Sequence, residues 1–201
     1  MAQTYAWRAT DGLYFSSSGS SSDIDDHVYY SSNRAFRMDF PDLGGLLGKD
    51  KKTLAISSAI LKVYIEVANS ATLTMGYSYK TAFADRKTML ASKTGITMKT
   101  STGWMDIDLT NVIRAYVRDG INSTMRLWGY GTGGSSSNSR FRGIDPGSSY
   151  NSQRPYLLIT FNDSTARIYS DGEWKAAVPY VYHNGAWQPA VIQMYNNSAW
   201  R

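Results

Sequence analysis

The chain of 201 residues contains no cysteine. That excludes disulfides, thiolate nucleophiles and Cys-ligated metals, and leaves packing alone to hold the fold. Histidine is almost missing: His27 and His183 are the only two, neither in a metal-ligand spacing, and His183 next to a turn reads as a surface residue. Glutamate is scarce, and no carboxylate pair suited to glycoside hydrolysis can be named. Nucleophile elbows and phosphate loops are absent as well, so no enzyme is expected and no residue is assigned a catalytic role. No apolar run is long enough to span a bilayer, and membrane insertion is not expected. The opening "MAQTYAWRATDGLYF" lacks a basic stretch followed by an apolar run and does not read as a signal peptide.

The net charge of +5 sits entirely in residues 1–161, where 18 Lys and Arg face 13 Asp and Glu; residues 162–201 balance 3 against 3. The excess is spread thinly, and "GKDKK" (residues 48–52) is the one tight basic cluster. A nucleic-acid face would show a basic stripe with interleaved aromatics, so this cluster is expected to be a solvated loop and nucleic acid is not an expected partner.

What is present favours strands and turns: plentiful Gly, Ser, Thr, Tyr and Trp. "SSNRAFRMDFPDL" alternates Phe36, Met38 and Phe40 against Ala35, Arg37 and Asp39, a half-buried strand stopped by proline. "SSAILKVYIEVAN" does the same at greater length, with Ala59, Leu61, Val63, Ile65 and Val67 on one face and Lys62 and Glu66 among those on the other. "ATLTMGYSYKTAF", "MRLWGY" and "RPYLLITF" add further strands. One segment differs: "DLTNVIRAYVRDG" sets Val112, Ile113, Tyr116 and Val117 at helical spacing, with Thr110 or Asn111 to cap its start and Gly120 its end. Gly/Ser-rich loops at 16–26 and 131–140 separate the strands. The expected fold is all-β: an antiparallel jelly-roll β-sandwich with one short helix over residues 1–161.

Residues 162–201 form a second unit. Tyr169, Tyr182 and Tyr195 recur at intervals of 13, and Trp174, Trp187 and Trp200 keep the same interval. Between them stand Asp171-Gly172, Asn184-Gly185 and Asn197-Ser198, of which the first two suit type I′ turns that need positive φ at both central positions. Such turns place Tyr169 opposite Trp174, Tyr182 opposite Trp187 and Tyr195 opposite Trp200, each pair worth about 0.5–1 kcal/mol beyond its burial. The expectation is a small β-meander of hairpin repeats with one aromatic face. Few strands cannot cover both faces of their own sheet, so those six residues are candidates for an assembly face against the sandwich or another subunit. Pro179 and Pro189 call for bulges or edge positions.

Two ligand classes remain to be weighed. "DIDDH" offers Asp23, Asp25 and Asp26 for a structural calcium ion, against the plainer reading of a solvated acidic loop; no other metal or cofactor is expected. Glycan binding needs exposed rings, on which sugar C–H faces stack, beside polar groups for the hydroxyls. Candidates are Tyr77, Tyr79, Trp104, Trp128 and Tyr130, with Arg140 and Arg142 nearby in sequence. Trp128 and Tyr130 share a strand face directly before a loop and make the leading pair, although rings at strand spacing also fit a core.

The order of segments, with "SSAIL" leading into a long strand, "DIDLT" stepping into a short helix and a closing "RPYLLITF", resembles the DNRLRE-type jelly-roll domain, a relative of carbohydrate-binding modules, over roughly residues 5–161. The tail, with "YHNGAW" as its clearest copy, resembles the short Tyr/Asn-Gly/Trp repeats of phage tail and virion proteins. Choline-binding repeats are longer and denser in Gly and Trp. Together the resemblances imply a bacteriophage virion structural protein, a tail, fibre or head-decoration component that needs no export signal. Other virion proteins, a second copy of the chain and a host polysaccharide are the implied partners. The alternative is a secreted carbohydrate-binding module of a bacterial surface protein.

Overall fold

A computed structural model of the chain describes residues 2–16, 19, 21–30, 34–68, 70–120, 123–133, 139–163, 167–170, 173–176, 179–183, 185–189, 195–196 and 199–200. In chain order the strands are β1 (Gln3–Trp7), β2 (Asp11–Phe15), β3 (Ser21–Asp23), β4 (His27–Tyr29), β5 (Ala35–Phe40), β6 (Leu54–Val67), β7 (Thr72–Ser78), β8 (Ala91–Thr97) and β9 (Gly103–Asp108). They continue with β10 (Met125–Gly133), β11 (Arg140–Arg142) and β12 (Tyr156–Asp163). The tail adds β13 (Arg167–Ser170), β14 (Glu173–Ala176), β15 (Tyr180–His183), β16 (Ala186–Pro189), β17 (Tyr195–Asn196) and β18 (Ala199–Trp200). Two α-helices, α1 (Leu43–Leu47) and α2 (Thr110–Asp119), interrupt the strands.

Twelve of these strands make two antiparallel sheets. The first has β1, β12, β6, β11 and β4 in that order, with β9 also paired to β6; the second runs β3, β2, β5, β10, β7, β8. The chain passes between the sheets repeatedly, as between β1 and β2 or β10 and β11, which is the jelly-roll sandwich expected from the sequence. β6 is its spine. Ala59, Leu61, Val63 and Ile65 face the core, while Lys62, Tyr64 and Glu66 face outward, because successive side chains alternate across a strand. Leu61 opposes Leu157 and Ala59 opposes Ile159, so the inward rows of β6 and β12 meet in register. Each fully buried Leu, Ile or Val contributes about 1.5–3 kcal/mol.

α2 lies where its periodicity placed it, with Val112, Ile113, Tyr116 and Val117 buried and Gly120 at φ +67 ending it in the left-handed region. Its start differs from expectation. Neither Thr110 nor Asn111 caps the helix; instead the Asp108 carboxylate accepts from the Thr110 N–H at 2.9 Å and from its hydroxyl at 2.6 Å. Burial pushes the Asp108 carboxyl up, but these two bonds and the nearby Lys93 and Arg114 outweigh it and hold the group below its ordinary value.

The basic cluster at 48–52 also departs from its solvated reading. Lys51 is completely buried, while Lys52 stays exposed. The Lys51 Nζ donates to Asp42 Oδ1 at 2.6 Å and to the Tyr116 hydroxyl at 3.2 Å, and it lies 4.2 Å from the centre of the Tyr116 ring. That hydroxyl donates in turn to Asp42 at 2.9 Å. Trp7 closes the site, its ring 5.6 Å from Tyr116 and 5.0 Å from Phe40, and its Nε1 donates to the Pro41 carbonyl. A lysine is tolerated here because its charge is met by a carboxylate, a hydroxyl and a ring face at once.

In the tail, Tyr169 faces Trp174, Tyr182 faces Trp187 and Tyr195 faces Trp200, and Gly185 holds φ +78 in the second turn. The three hairpins are three two-stranded ladders, and no ladder joins one to the next among the described residues. Pro179 precedes β15 and Pro189 ends β16, so neither interrupts a strand. Tyr180, Val181, Tyr182 and Trp187 are all exposed, so the middle hairpin shows both faces to solvent, with the Tyr182 and Trp187 rings 5.4 Å apart. His183 is exposed beside its turn. The side chains of Tyr169, Trp174, Tyr195 and Trp200 lie outside the described ones.

Candidate functional site

β10 places Arg126, Trp128 and Tyr130 on the outer face of the second sheet, since Met125 and Leu127 between them are in the core. That outer face is not open. The segment from Tyr79 to Leu90 folds across it, and three of its carbonyls are held from below. Arg126 Nη1 donates to Tyr79 at 2.8 Å, Trp128 Nε1 to Lys80 at 3.1 Å and Arg37 Nη1 to Thr81 at 3.0 Å. Phe83 stacks 5.2 Å from Phe15, and Phe15 stacks 5.3 Å from Trp128. Arg37 and Asp39 form a buried two-pronged ion pair at 2.7 and 2.9 Å.

The leading pair of glycan candidates is therefore corrected. Trp128 is wholly buried and serves as a platform for residues 79–90, and Tyr130 is half-buried with the Lys87 ammonium 5.8 Å from its ring. Tyr77 is in the core, its hydroxyl hydrogen-bonded to Asp119. Tyr79 is half-buried, and its ring meets those of Tyr77 and Tyr116 at 5.9 and 6.5 Å. None of these four presents an exposed ring to a ligand.

Trp104 does. On β9 it alternates with Met105 and Ile107, which turn toward the core, and it stands 40 % exposed on the outer face of the first sheet. The ladder sets it opposite Tyr64 of β6, with ring centres 5.7 Å apart and edge-on. Tyr156 of β12 meets it at 6.1 Å, and the Arg8 guanidinium lies 5.1 Å over the Tyr156 ring. Beside the rings Lys62 Nζ donates to both oxygens of Asp106 at 2.7 Å. An exposed indole braced by two edge-on phenols, with a charged pair alongside, can stack on a sugar's C–H face and bond its hydroxyls.

Two residues further along β6 on the same face, Glu66 gathers a polar cluster. Its carboxylate accepts from Arg140 Nε at 2.7 Å, and Arg142 Nη1 and His27 Nε2 lie 3.1 and 3.0 Å from its oxygens. Arg140 also donates to the Tyr29 hydroxyl at 3.4 Å, and the Arg142 guanidinium stacks 3.8 Å over Tyr150. Burial pushes the His27 imidazole below its ordinary value against the pull of Glu66, so it is neutral at pH 7. The Glu66 bond raises Arg140. Arg140 and Arg142 thus belong to the same sheet face as Trp104, and Tyr77, Tyr79, Trp128 and Tyr130 do not.

The aspartates of the "DIDDH" loop do not make a metal centre. Asp25 is raised by burial and then by Asp23, Asp145, Asp26 and Asp11. Among the described residues, no three carboxylates or imidazoles converge to hold an ion. A cleft of about 200 Å³ lined by Ser92, Lys93, Asp108, Thr110 and Asn111 opens at the start of α2. Within it Lys93 Nζ donates to the Asp108 carbonyl at 2.9 Å, and the Asp108 carboxylate is taken up by Thr110.

Tyr64, Tyr156, Arg8, Glu66 and Tyr29 were not singled out from the sequence. The available signal was the outward half of the β6 alternation, where Lys62, Tyr64 and Glu66 stand at intervals of two. Compared with known proteins, the chain matches no family model and no curated protein.

Proposed function

We propose that this chain is a non-enzymatic bacteriophage virion structural protein, a tail, fibre or head-decoration component, whose sandwich binds host-surface glycans on the outer face of its first sheet. The observation that carries the glycan reading is Trp104, exposed and braced between Tyr64 and Tyr156 with Lys62 and Asp106 alongside. The likeness of the sandwich to DNRLRE-type domains supports the same ligand class. The likeness of the tail to phage repeats, together with the exposed Tyr182–Trp187 hairpin, supports a place in a larger particle.

The binding half is tested by retention of the full chain on immobilised bacterial cell-wall polysaccharide. Trp104→Ala removes the stacking platform and is expected to weaken retention about tenfold or more, with thermal unfolding shifted by no more than a few degrees because the ring is not part of the core. Unchanged retention in a folded variant rejects the site.

The assembly half is tested by the solution mass from light scattering. The full chain is expected to form a defined oligomer, and the double variant Tyr182→Ser, Trp187→Ser to fall to monomer. A monomeric wild-type chain would instead favour a free carbohydrate-binding module.

A further inference from the structure

Cations gather on the outer face of the first sheet and along its rim. Six cations lie on or beside it: Arg8, Arg34, Lys62, Lys99, Arg140 and Arg142. Glu66 of β6 and Asp106 and Asp108 of β9 are the carboxylates that these two strands turn to the same face, and Asp108 is engaged by Thr110 at the start of α2. Asp106 is taken up by Lys62, and Glu66 is shared by two guanidiniums and a neutral imidazole, so one of those arginines is left uncompensated. Arg8 and Arg34 lie over rings, Arg8 over Tyr156 at 5.1 Å and Arg34 over Tyr29 at 4.6 Å, and neither has a carboxylate partner among the described residues. Lys99 reaches only the Trp104 carbonyl, at 3.4 Å.

The cations and the rings alternate in a belt across the strands. From β1 to the β4 edge it runs Arg8, Tyr156, Trp104 with Tyr64, the Glu66 cluster, Tyr29 and Arg34. Guanidiniums held over aromatic faces lose part of their freedom beforehand, so they meet an anion at a smaller ordering cost than free side chains do. The aspartates gathered around Asp25 precede His27 at the other end of β4 and repel negative charge from that side. An anionic chain is thereby directed past Tyr29 toward Arg34.

We infer that the ligand of this face is a polyanionic polysaccharide, whose sugar rings stack on Trp104 while its phosphate or carboxylate groups meet Arg8, Arg34 and the Arg140–Arg142 pair. This rests on the glycan-binding reading of the same face and names the charge of the polymer. Phosphodiester-linked glycopolymers and uronic-acid polymers share the chemistry that the belt recognises.

The test uses the full chain in affinity electrophoresis against three polymers: a purified wall teichoic acid, polygalacturonate and neutral dextran. Retardation by at least one anionic polymer, about tenfold stronger than by dextran and declining as salt is raised, is expected. Which anionic polymer retards the protein identifies the phosphate or the carboxylate source. The double variant Arg8→Ala, Arg34→Ala should lose about tenfold in affinity, and Trp104→Ala a comparable factor, with both variants shown to be folded by circular dichroism. Salt-insensitive, Trp104-dependent binding to dextran as strong as to the anionic polymers overturns the inference and leaves the glycan reading standing. Anionic binding that ignores Trp104→Ala is ion exchange and also overturns it. Failure to bind any of the three polymers, or cell-wall polysaccharide, removes both readings.

Discussion

Asp42→Asn should lower the unfolding free energy by about 3–5 kcal/mol, the usual result of removing one partner from a buried ion pair. Asparagine preserves the shape, and its one oxygen can still accept from the Gly45 N–H to retain the cap of α1, while its amide nitrogen replaces the oxygen that accepts from Lys51 and Tyr116. The Lys51 ammonium, which has no exposed surface, thereby loses its bond to a carboxylate. Lys51→Met should cost clearly less, because the orphaned carboxylate is 19 % exposed and keeps its bonds from Gly45 and Tyr116. Denaturant unfolding of the two variants and their double gives the coupling directly, and an Asp42→Asn chain within 1 kcal/mol of wild type would falsify this account. The pH dependence follows from the same group. Asp42 has a folded-state pKa below its ordinary 3.8, so its contribution is complete above that value and is lost as pH falls through the folded one. Wild type should therefore lose stability below about pH 4 more steeply than Lys51→Met.

Trp128→Ala should cost a further large amount, again about 3–5 kcal/mol, as expected for emptying a site of that size. The indole is fully enclosed, stacks on Phe15 and donates to the Lys80 carbonyl. Its loss also frees the segment it supports, so trypsin should cut the variant at Lys80, Arg86 or Lys87 while the wild type resists. Polysaccharide binding by the fraction that remains folded should be unaffected, since Trp104 lies on the other sheet. A Trp128→Ala protein of normal stability that no longer binds polysaccharide would restore the ligand role to this residue and reject the placement at Trp104.

The contrast between these two tryptophans marks where the sequence stops being legible. β6, β12, α2 and the Tyr–Trp register of the tail were all readable, because each follows from local periodicity or from the geometry of a two-residue turn. Trp104 and Trp128 have equivalent local signals, a ring facing away from the core on an alternating strand. Which of them meets solvent depends on residues 79–90 crossing the second sheet, a contact between distant segments that no strand pattern encodes. β5 shows the same effect: Arg37 and Asp39 alternate with Phe36, Met38 and Phe40 as an outward face should, yet every residue of the strand is buried. Lys51 was hidden in the same way, since its partners are nine and 65 residues away in sequence.

The pairing of β1 with β12 sets how the sandwich answers force. Gln3 opposes Phe161 and Trp7 opposes Leu157, so the two ends of the sandwich leave the same end of one ladder. Tension applied between them peels that ladder open one pair at a time, the weakest direction in which a sheet can be loaded. Tension carried from the first sheet into the tail takes another path, through β12, whose eight residues from Tyr156 to Asp163 are all paired with β6. Force applied to the chain beyond β12, with the first sheet held, thus loads the β12–β6 ladder in shear, with many hydrogen bonds sharing the strain.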